Sequence, residues 1–514
     1  MDRFEVLINK YTKIVEKDPD NLEARNELGS LYYDLNLMDQ ALEQFSQIIK
    51  INPASVEGFY NLGLVYENKG LLDFALNYYK KALSLDPYDS NIYGAIGNIF
   101  YLKKEEDKAI DFFKMAIEVN PCDIFALNYL GNIFLEKQLY DFALTEYKKV
   151  IQTDPSNCMA LCNMGIALCE INETEQAIEC LEKAITINKY YKEALFTLAV
   201  IFARQNEYDR ALELMERSLI VDPDDTLAVV NIVRMYLETK QYDKAIEHCV
   251  KYLKENSDNP EVNTCLGNCY FYLELYDRAI NCYKKVDETA MDYLIVVNSI
   301  GDAYYRLGKT EKAIQYYEKA VSLNNKAIDA YINLGVVYDD IKQYDKSIEN
   351  YSKAISYQPE DPLIYYNMAI SYEHQKLYDK AEECYYKAIS FNENYKDAYN
   401  NLACLYLEQQ KVEAALEMAQ KALEIDHNDP IILDTYGLVL LEQGKPAEAL
   451  AYFVKSVDRD PEDAEVLYNL AQCYYELDDK KALNDTLARV KPLDKKLYRD
   501  FVTKKNLFEN CQTE

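Results

Sequence analysis

The sequence predicts an all-α solenoid of about fourteen helix pairs, on three observations. Gly29, Gly63, Gly97, Gly131 and Gly165 stand 34 residues apart, and the series resumes at Gly267, Gly301, Gly335 and Gly437. Twelve residues after each of these registers comes a second series of small residues, Ala41, Ala75, Ala109 and so on to Ala449, with Ser347 the one departure from Ala. Around these landmarks apolar residues recur at i, i+3, i+4 and i+7, one face of a 3.6-residue helix, and a short polar turn separates two such patterns in every period.

Residues 1–21 read as a lone second helix, with Leu7, Tyr11 and Ile14 on one face and Pro19 beyond it. This half repeat is expected to cap the N-terminal end of the stack, because an end unit otherwise leaves an apolar face bare. Residues 22–497 divide into fourteen tandem units of 34 residues with no insertion or deletion until the last. In the unit 56–89 the first helix carries Phe59, Leu62, Gly63 and Tyr66, and the second carries Ala75, Tyr79, Ala82 and Leu83. Asp39, Asp73, Asp107 and six further Asp in that register stand just before the second helix, where a carboxylate accepts orphan N–H groups and opposes the helix dipole. Pro53, Pro87 and Pro121 close second helices by lacking an N–H. Pro260, Pro362 and Pro430 open units, where proline suits the first helical turn.

Gly in a helix interior costs roughly 1 kcal/mol against Ala, so nine of them cost on the order of 9 kcal/mol. That is comparable with the stability of a whole domain. The missing side chain must therefore let another helix come close, and the expectation is that each Gly faces the Ala of its partner helix. The pattern is weakest in units seven to nine, where Val233 replaces the small residue and 285–292 makes a poor helix end. Over 482–490 the register is lost, with Ala482 one place early. Residues 498–514 form the end of a C-terminal capping helix and a tail. Its stripe is Leu493, Leu497, Phe501, Leu507 and Phe508, and it is expected to fray from about Glu509.

Leu-Gly at positions seven and eight of the unit, Tyr at eleven, Ala at twenty, an aromatic at twenty-four, Ala at twenty-seven and Pro at thirty-two together resemble the tetratricopeptide repeat. Residues 328–361 show it in Tyr331, Leu334, Gly335, Tyr338, Ser347, Tyr351, Ala354 and Pro359. The aromatic often found at position four is Tyr, Phe or aliphatic here and never Trp. The resemblance implies a right-handed superhelical α-solenoid, similar to the repeat domain of the O-GlcNAc transferases, whose first helices line a concave groove.

Composition narrows the function. The chain has 514 residues and a formal net charge of -31. Such a charge repels phosphate backbones and anionic membranes, so neither nucleic acid nor membrane is an expected partner. It permits a basic peptide or protein without demanding one. Thirteen Cys are scattered without a disulfide framework, many inside apolar helical patterns, which is the usage of a reducing compartment. Residues 1–18 are charged throughout and no run of about 18 apolar residues occurs, so a cytoplasmic location is expected.

The resemblance implies that positions 2, 5, 6, 9, 12 and 13 of each unit point into the groove. Position 6 is Asn in half of the units: Asn61, Asn163, Asn231, Asn333, Asn367, Asn401 and Asn469. Asn is a poor residue for a helix interior, and its amide both donates to and accepts from an extended peptide backbone. Position 13 is acidic in eight units, among them Asp340 and Glu408, with Glu373 and the aromatic neighbours Tyr366 and Tyr468 beside them. These residues are the candidate ligand-binding set for extended or basic segments. Units five to seven instead offer a more apolar floor in Met159, Ile166, Phe196, Val200, Leu227 and Val230.

No catalytic residue, metal ligand set or cofactor is assigned. Cys158 with Cys162, and Cys265 with Cys269, are i, i+4 pairs, but a zinc site requires four convergent ligands. The three His accompany no nucleophile motif, and the Gly residues are 34 apart rather than clustered as in a phosphate loop. Units and caps use the whole length. The expected function is a non-enzymatic scaffold that binds protein or peptide segments in its groove, with a monomer as the expected state. A regulatory or adaptor subunit of a separately encoded enzyme or secretion machine is the first alternative, and a self-assembling structural protein is the second. The excess of Lys and Arg over 480–505 reads as a solvated cap, or as a contact for acidic groups.

Overall fold

The computed structural model describes residues 3–511, with side chains over 4–503. Among the described residues there are thirty helices and no strand. The chain divides into two compact units, Met1–Glu255 and Asn256–Glu514. In the first, the helix Arg3–Lys17 precedes helix pairs running from Leu22–Asp34 with Met38–Ile51 to Thr226–Glu238 with Tyr242–Leu253. In the second, pairs run from Pro260–Tyr272 with Tyr276–Tyr283 to Ala464–Glu476 with Lys480–Leu493, and the helix Lys495–Cys511 follows. Within each unit the two helices of a pair pack on one another, and the second packs on the first helix of the next pair.

The turn inside each pair has one recurring conformation. At Asn36, Gly70, Lys104 and every 34 residues to Asp478 the backbone enters the left-handed region, with φ of 60° at Asn36 and 72° at Gly70. The turn closes the first helix in the manner of a Schellman motif. In the second pair, the Leu71 amide donates to the Tyr66 carbonyl at 2.9 Å and the Gly70 amide to Glu67 at 2.8 Å. Only three of these positions are Gly, and Lys, Gln, Glu, Asn or Asp carries the left-handed residue elsewhere.

The expected facing of Gly on Ala is corrected. Each helical Gly of the series lies under the residue sixteen places on, at position 24 of the same unit. A Cβ on Gly97 would stand 2.8 Å from the Phe113 ring, and one on Gly131 would stand 2.6 Å from Tyr147. The Ala series is fully buried in the core of each pair, but the aromatic ring is what occupies the space left by the Gly. The two positions trade size along the chain. Eight of the nine Gly pair with Phe or Tyr, Gly165 with Leu181 being the exception. Ala199, Val233, Ala403 and Ala471 are followed at the same spacing by Met215, Cys249, Ala419 and Leu487, and Ala369 with Tyr385 departs from the rule.

The capping part of the Asp reading is corrected, while the place of these residues in the first turn, opposing the helix dipole, holds. Asp39 and Asp73 are the second residues of their helices, whose N-caps are Leu37 and Leu71 with no side-chain capping bond. Their carboxylates reach the next pair, Asp39 to Lys69 at 2.7 Å and Asp73 to Lys103 at 2.7 Å. Side-chain caps sit on the first helices: Asn21, Ser55, Asp123 and Asp225 accept from the amides of Ala24, Gly58, Ala126 and Ala228. In the final pair Asp479 does stand just before the second helix and accepts from the Ala482 amide at 3.0 Å.

The irregular stretch is visible. The helix Tyr276–Tyr283 has 8 residues where most second helices have 14, and 285–292 runs as turns around the buried Val286. Near the end, Leu483 takes the buried place of the Ala series, so the helix continues in phase through Ala482. The last helix runs to Cys511, past the expected fraying point at Glu509. The side chains of Leu507 and Phe508 and residues 512–514 lie outside the described residues. No helix among the described residues is long and apolar enough to cross a membrane.

Candidate ligand-binding face

The first helices carry every residue of the predicted set. Position 24 of the second helix reaches the same face, because its Tyr ring passes over the Gly and emerges beside position 9 or 12. Tyr147 Oη donates to Asn132 Oδ1 at 2.8 Å, and Asn163 Nδ2, from the next pair, donates to the same oxygen at 2.8 Å. Tyr317 and Asn333 converge in the same way on Asp302 Oδ1, at 2.7 and 2.9 Å. Glu67 accepts Tyr79 Oη at 2.5 Å and Asn98 Nδ2 at 2.6 Å. One acceptor thus fastens a pair internally and to its successor.

This places most of the predicted Asn ladder inside the protein's own hydrogen bonding. Asn61 donates to Asn26 at 2.7 Å, and Asn469 donates to both oxygens of Asp434 at 3.1 and 2.9 Å. Asn401 donates to Tyr366 Oη at 3.1 Å, and Asn231 bonds back to the Leu227 carbonyl at 2.8 Å. Among the described residues Asn367 is the ladder amide whose side chain makes no such bond.

The acidic members are also engaged. Asp340 accepts the Tyr305 phenol, and Glu373 accepts the Tyr385 phenol. Burial, with Glu408 adding to it, raises the Tyr378 hydroxyl. Tyr366 packs between Tyr385 and Tyr395, with ring centroids 5.9 and 5.2 Å away. Tyr468 is partly covered by the last helix, through Phe501 at 5.5 Å and Asp500 at 3.3 Å.

Electrostatics distinguish three of these acceptor carboxylates. Burial pushes Asp302 above the ordinary range. Burial, with Glu408 adding to it, lifts Glu373 to about 6. Burial, with Asp463 and Glu465 adding to it, lifts Asp434 to about 7. The donors they meet are neutral phenols and amides, which relieve desolvation only in part.

Sequence reasoning missed Asn132, Asp302 and Glu67 as a class. Their signal was a polar residue at position 9 or 12 of a unit whose position 24 is Tyr. It also missed the polar link around Ser347. Ser347 and Ser371 share a hydrogen bond of 2.9 Å, Ser371 donates to Asp339 at 2.6 Å, and His374 Nδ1 lies 2.9 Å from Asp339. The apolar floor of units five to seven is partly open: Val200, Ala203, Asn231 and Met235 line a cleft of about 290 Å³ that Arg204 and Arg234 also border. Val230 is buried, whereas Leu227 is 58% exposed.

Comparison with known proteins agrees with this architecture. Residues 135–326, 56–89 and 29–70 each match a tetratricopeptide-repeat family. The chain is a tetratricopeptide-repeat protein. Residues 285–495 of this repeat protein match the Cilia and flagella-associated protein 70 C-terminal domain. Among solved structures, it is similar to the Cut9-Hcn1 hetero-tetramer of APC/C at 14% identity, over 91% of this chain and 98% of that one, with a TM-score of 0.40. It is similar to YrrB, described as a TPR protein with an unusual peptide-binding site, at 25% identity over 36% of this chain and 95% of that one, with a TM-score of 0.29. PilF of Pseudomonas aeruginosa is 19% identical over 41% of this chain and 96% of that one, with a TM-score of 0.37. No curated protein matches the repeat chain. Tetratricopeptide-repeat proteins bind peptides or proteins.

Proposed function

We propose that this repeat protein is a non-catalytic scaffold that holds extended segments of partner proteins along the face formed by its first helices. The observation that carries the reading is the division of labour on that face. Most Asn amides are spent on fastening one pair to the next, while Asn367, on the same first helix as Tyr366 and Glu373, is left with hydrogen-bonding capacity. A helical Asn without an internal partner, on a helix that also carries a rigid aromatic, is suited to a peptide backbone. Free cysteines, most of them buried, support action in a reducing cytoplasmic compartment.

The reading is tested on a partner obtained by co-purification with the full chain. Asn367→Ala and Glu373→Gln are expected to weaken that partner's binding at least tenfold, with the melting temperature of Asn367→Ala unchanged. Unchanged affinity in both variants contradicts the reading. The match of 285–495 to the Cilia and flagella-associated protein 70 C-terminal domain favours a second reading, a structural part in a cilium or flagellum. A tagged chain absent from such an organelle contradicts that second reading.

A further inference from the structure

In the last six units the second position carries a pattern that none of the side-chain contacts described above uses. On the six first helices from Tyr293–Arg306 to Ala464–Glu476 it reads Ile295, Asp329, Leu363, Asp397, Ile431 and Glu465. Apolar and acidic residues alternate without a break. The apolar members are 61%, 46% and 65% exposed. The acidic members are exposed too, and among the described residues none of the three has a cation within ion-pair distance. Core formation explains none of this, since a residue chosen for packing would be buried and one chosen only for solubility would not be Ile or Leu at every second step.

The six positions form one row. Each first helix is hydrogen-bonded to the next through side chains 31 to 35 residues apart: Asn333 to Asp302, Ser371 to Asp339, Asn401 to Tyr366, Thr435 with Cys404, and Asn469 to Asp434. Packed helix axes lie about 8–10 Å apart. A polyproline II segment advances about 3.1 Å per residue with three residues per turn, so every third side chain falls on one side at about 9.3 Å intervals. A β-strand advances a similar distance in three residues but turns alternate side chains away. The row therefore matches a polyproline II segment that presents one side chain per helix pair.

We infer that this row docks an extended segment of a partner protein in which every third residue is alternately basic and apolar, with the basic side chains on Asp329, Asp397 and Glu465 and the apolar ones on Ile295, Leu363 and Ile431. The inference deepens the scaffold reading and rests on it. Glu465 also raises the Asp434 carboxyl, so a bound cation there offsets a repulsion that the free protein bears.

The test is fluorescence anisotropy of the full chain with a labelled 16-residue peptide that repeats Lys-Pro-Ser-Leu-Pro-Ser, against an isomer with the same residues and the Lys and Leu gathered in separate blocks. The spaced peptide is expected to bind at least tenfold more tightly. Asp329→Lys with Asp397→Lys is expected to abolish that preference and to transfer it to the peptide carrying Glu for Lys. Ile295→Ser with Leu363→Ser and Ile431→Ser removes the apolar half and is expected to weaken the spaced peptide at least fivefold, with helical circular dichroism unchanged. Equal binding of the two isomers, no binding of either, or indifference to both sets of substitutions overturns the inference. Those outcomes leave the scaffold reading to the co-purified partner and its Asn367→Ala test.

Discussion

Gly131 exists to admit Tyr147. A Cβ at Gly131 would stand 2.6 Å from the ring, and the phenol that passes over it reaches Asn132 at 2.8 Å. A ring stands over the Gly in eight of the nine cases, so the Gly series records ring positions as well as close helix approach, which shows at Gly165, where the Ala177 carbonyl would stand 3.3 Å from an added Cβ. Gly131→Ala is predicted to cost about 1–3 kcal/mol, as overpacking does. Tyr147→Leu in the Gly131→Ala background is predicted to recover part of that cost, since Ala471 and Leu487 occupy the same two positions of another unit and are both buried. Urea unfolding of the two single variants and the double variant measures the coupling.

The left-handed turn residue offers an independent test. Lys104 and Gln138 hold φ of 59° and 60° on a side chain that disfavours them. Lys104→Gly and Gln138→Gly are each predicted to stabilise the protein by about 0.5–1 kcal/mol, because only Gly adopts that region without steric cost. Gly70→Ala is predicted to do the opposite. No atom lies within 4 Å of a Cβ built there, so its effect isolates the backbone.

Two Asn of the same ladder should separate. Asn333→Ala removes a donor from the half-buried Asp302 and is predicted to cost about 1–2 kcal/mol. Asn367→Ala removes no internal bond and is predicted to stay within about 0.5 kcal/mol of the parent. Chemical denaturation of both variants decides the matter, and equal losses contradict the division of labour.

Asp434 sets a pH dependence. Its carboxyl is raised to about 7 by burial. The native state then keeps a proton that the unfolded chain releases above its ordinary carboxylate value. The stability contributed by this group is full below about 4 and is lost as pH rises through about 7. Asp434→Asn, which keeps an acceptor for Asn469, is predicted to raise the melting temperature at pH 8 by about 2–4 °C. The gain should shrink steadily as pH is lowered to 5. A gain that is constant across this range contradicts the account.

How much was legible beforehand differs by type of contact. The 34-residue period, the helix pairs and the burial of Ala41 or Ala75 follow from spacing alone, because they are properties of one helix face. The end of the last helix is legible only to within a few residues, near Glu509 against Cys511, because the polar residues there carry no periodic signal. The facing of Gly on an aromatic was recoverable from the size trade between positions 8 and 24, for instance Gly131 with Tyr147 against Ala403 with Ala419. Links such as Asn333 to Asp302 were not recoverable, because they join residues 31 apart whose side-chain reach depends on how one pair seats on the next. For that reason the Asn ladder read as a ligand face throughout, while most of its amides prove to be occupied.

The central claim is that partners sit on the first-helix face. A photoreactive amino acid at Leu363, 46% exposed on a first helix, compared with one at Tyr386, 43% exposed on a second helix, tests it most directly. In cells making the full chain, the account predicts a discrete crosslinked partner from position 363 and none from position 386. Crosslinks of equal yield from both positions, or from 386 alone, would contradict it.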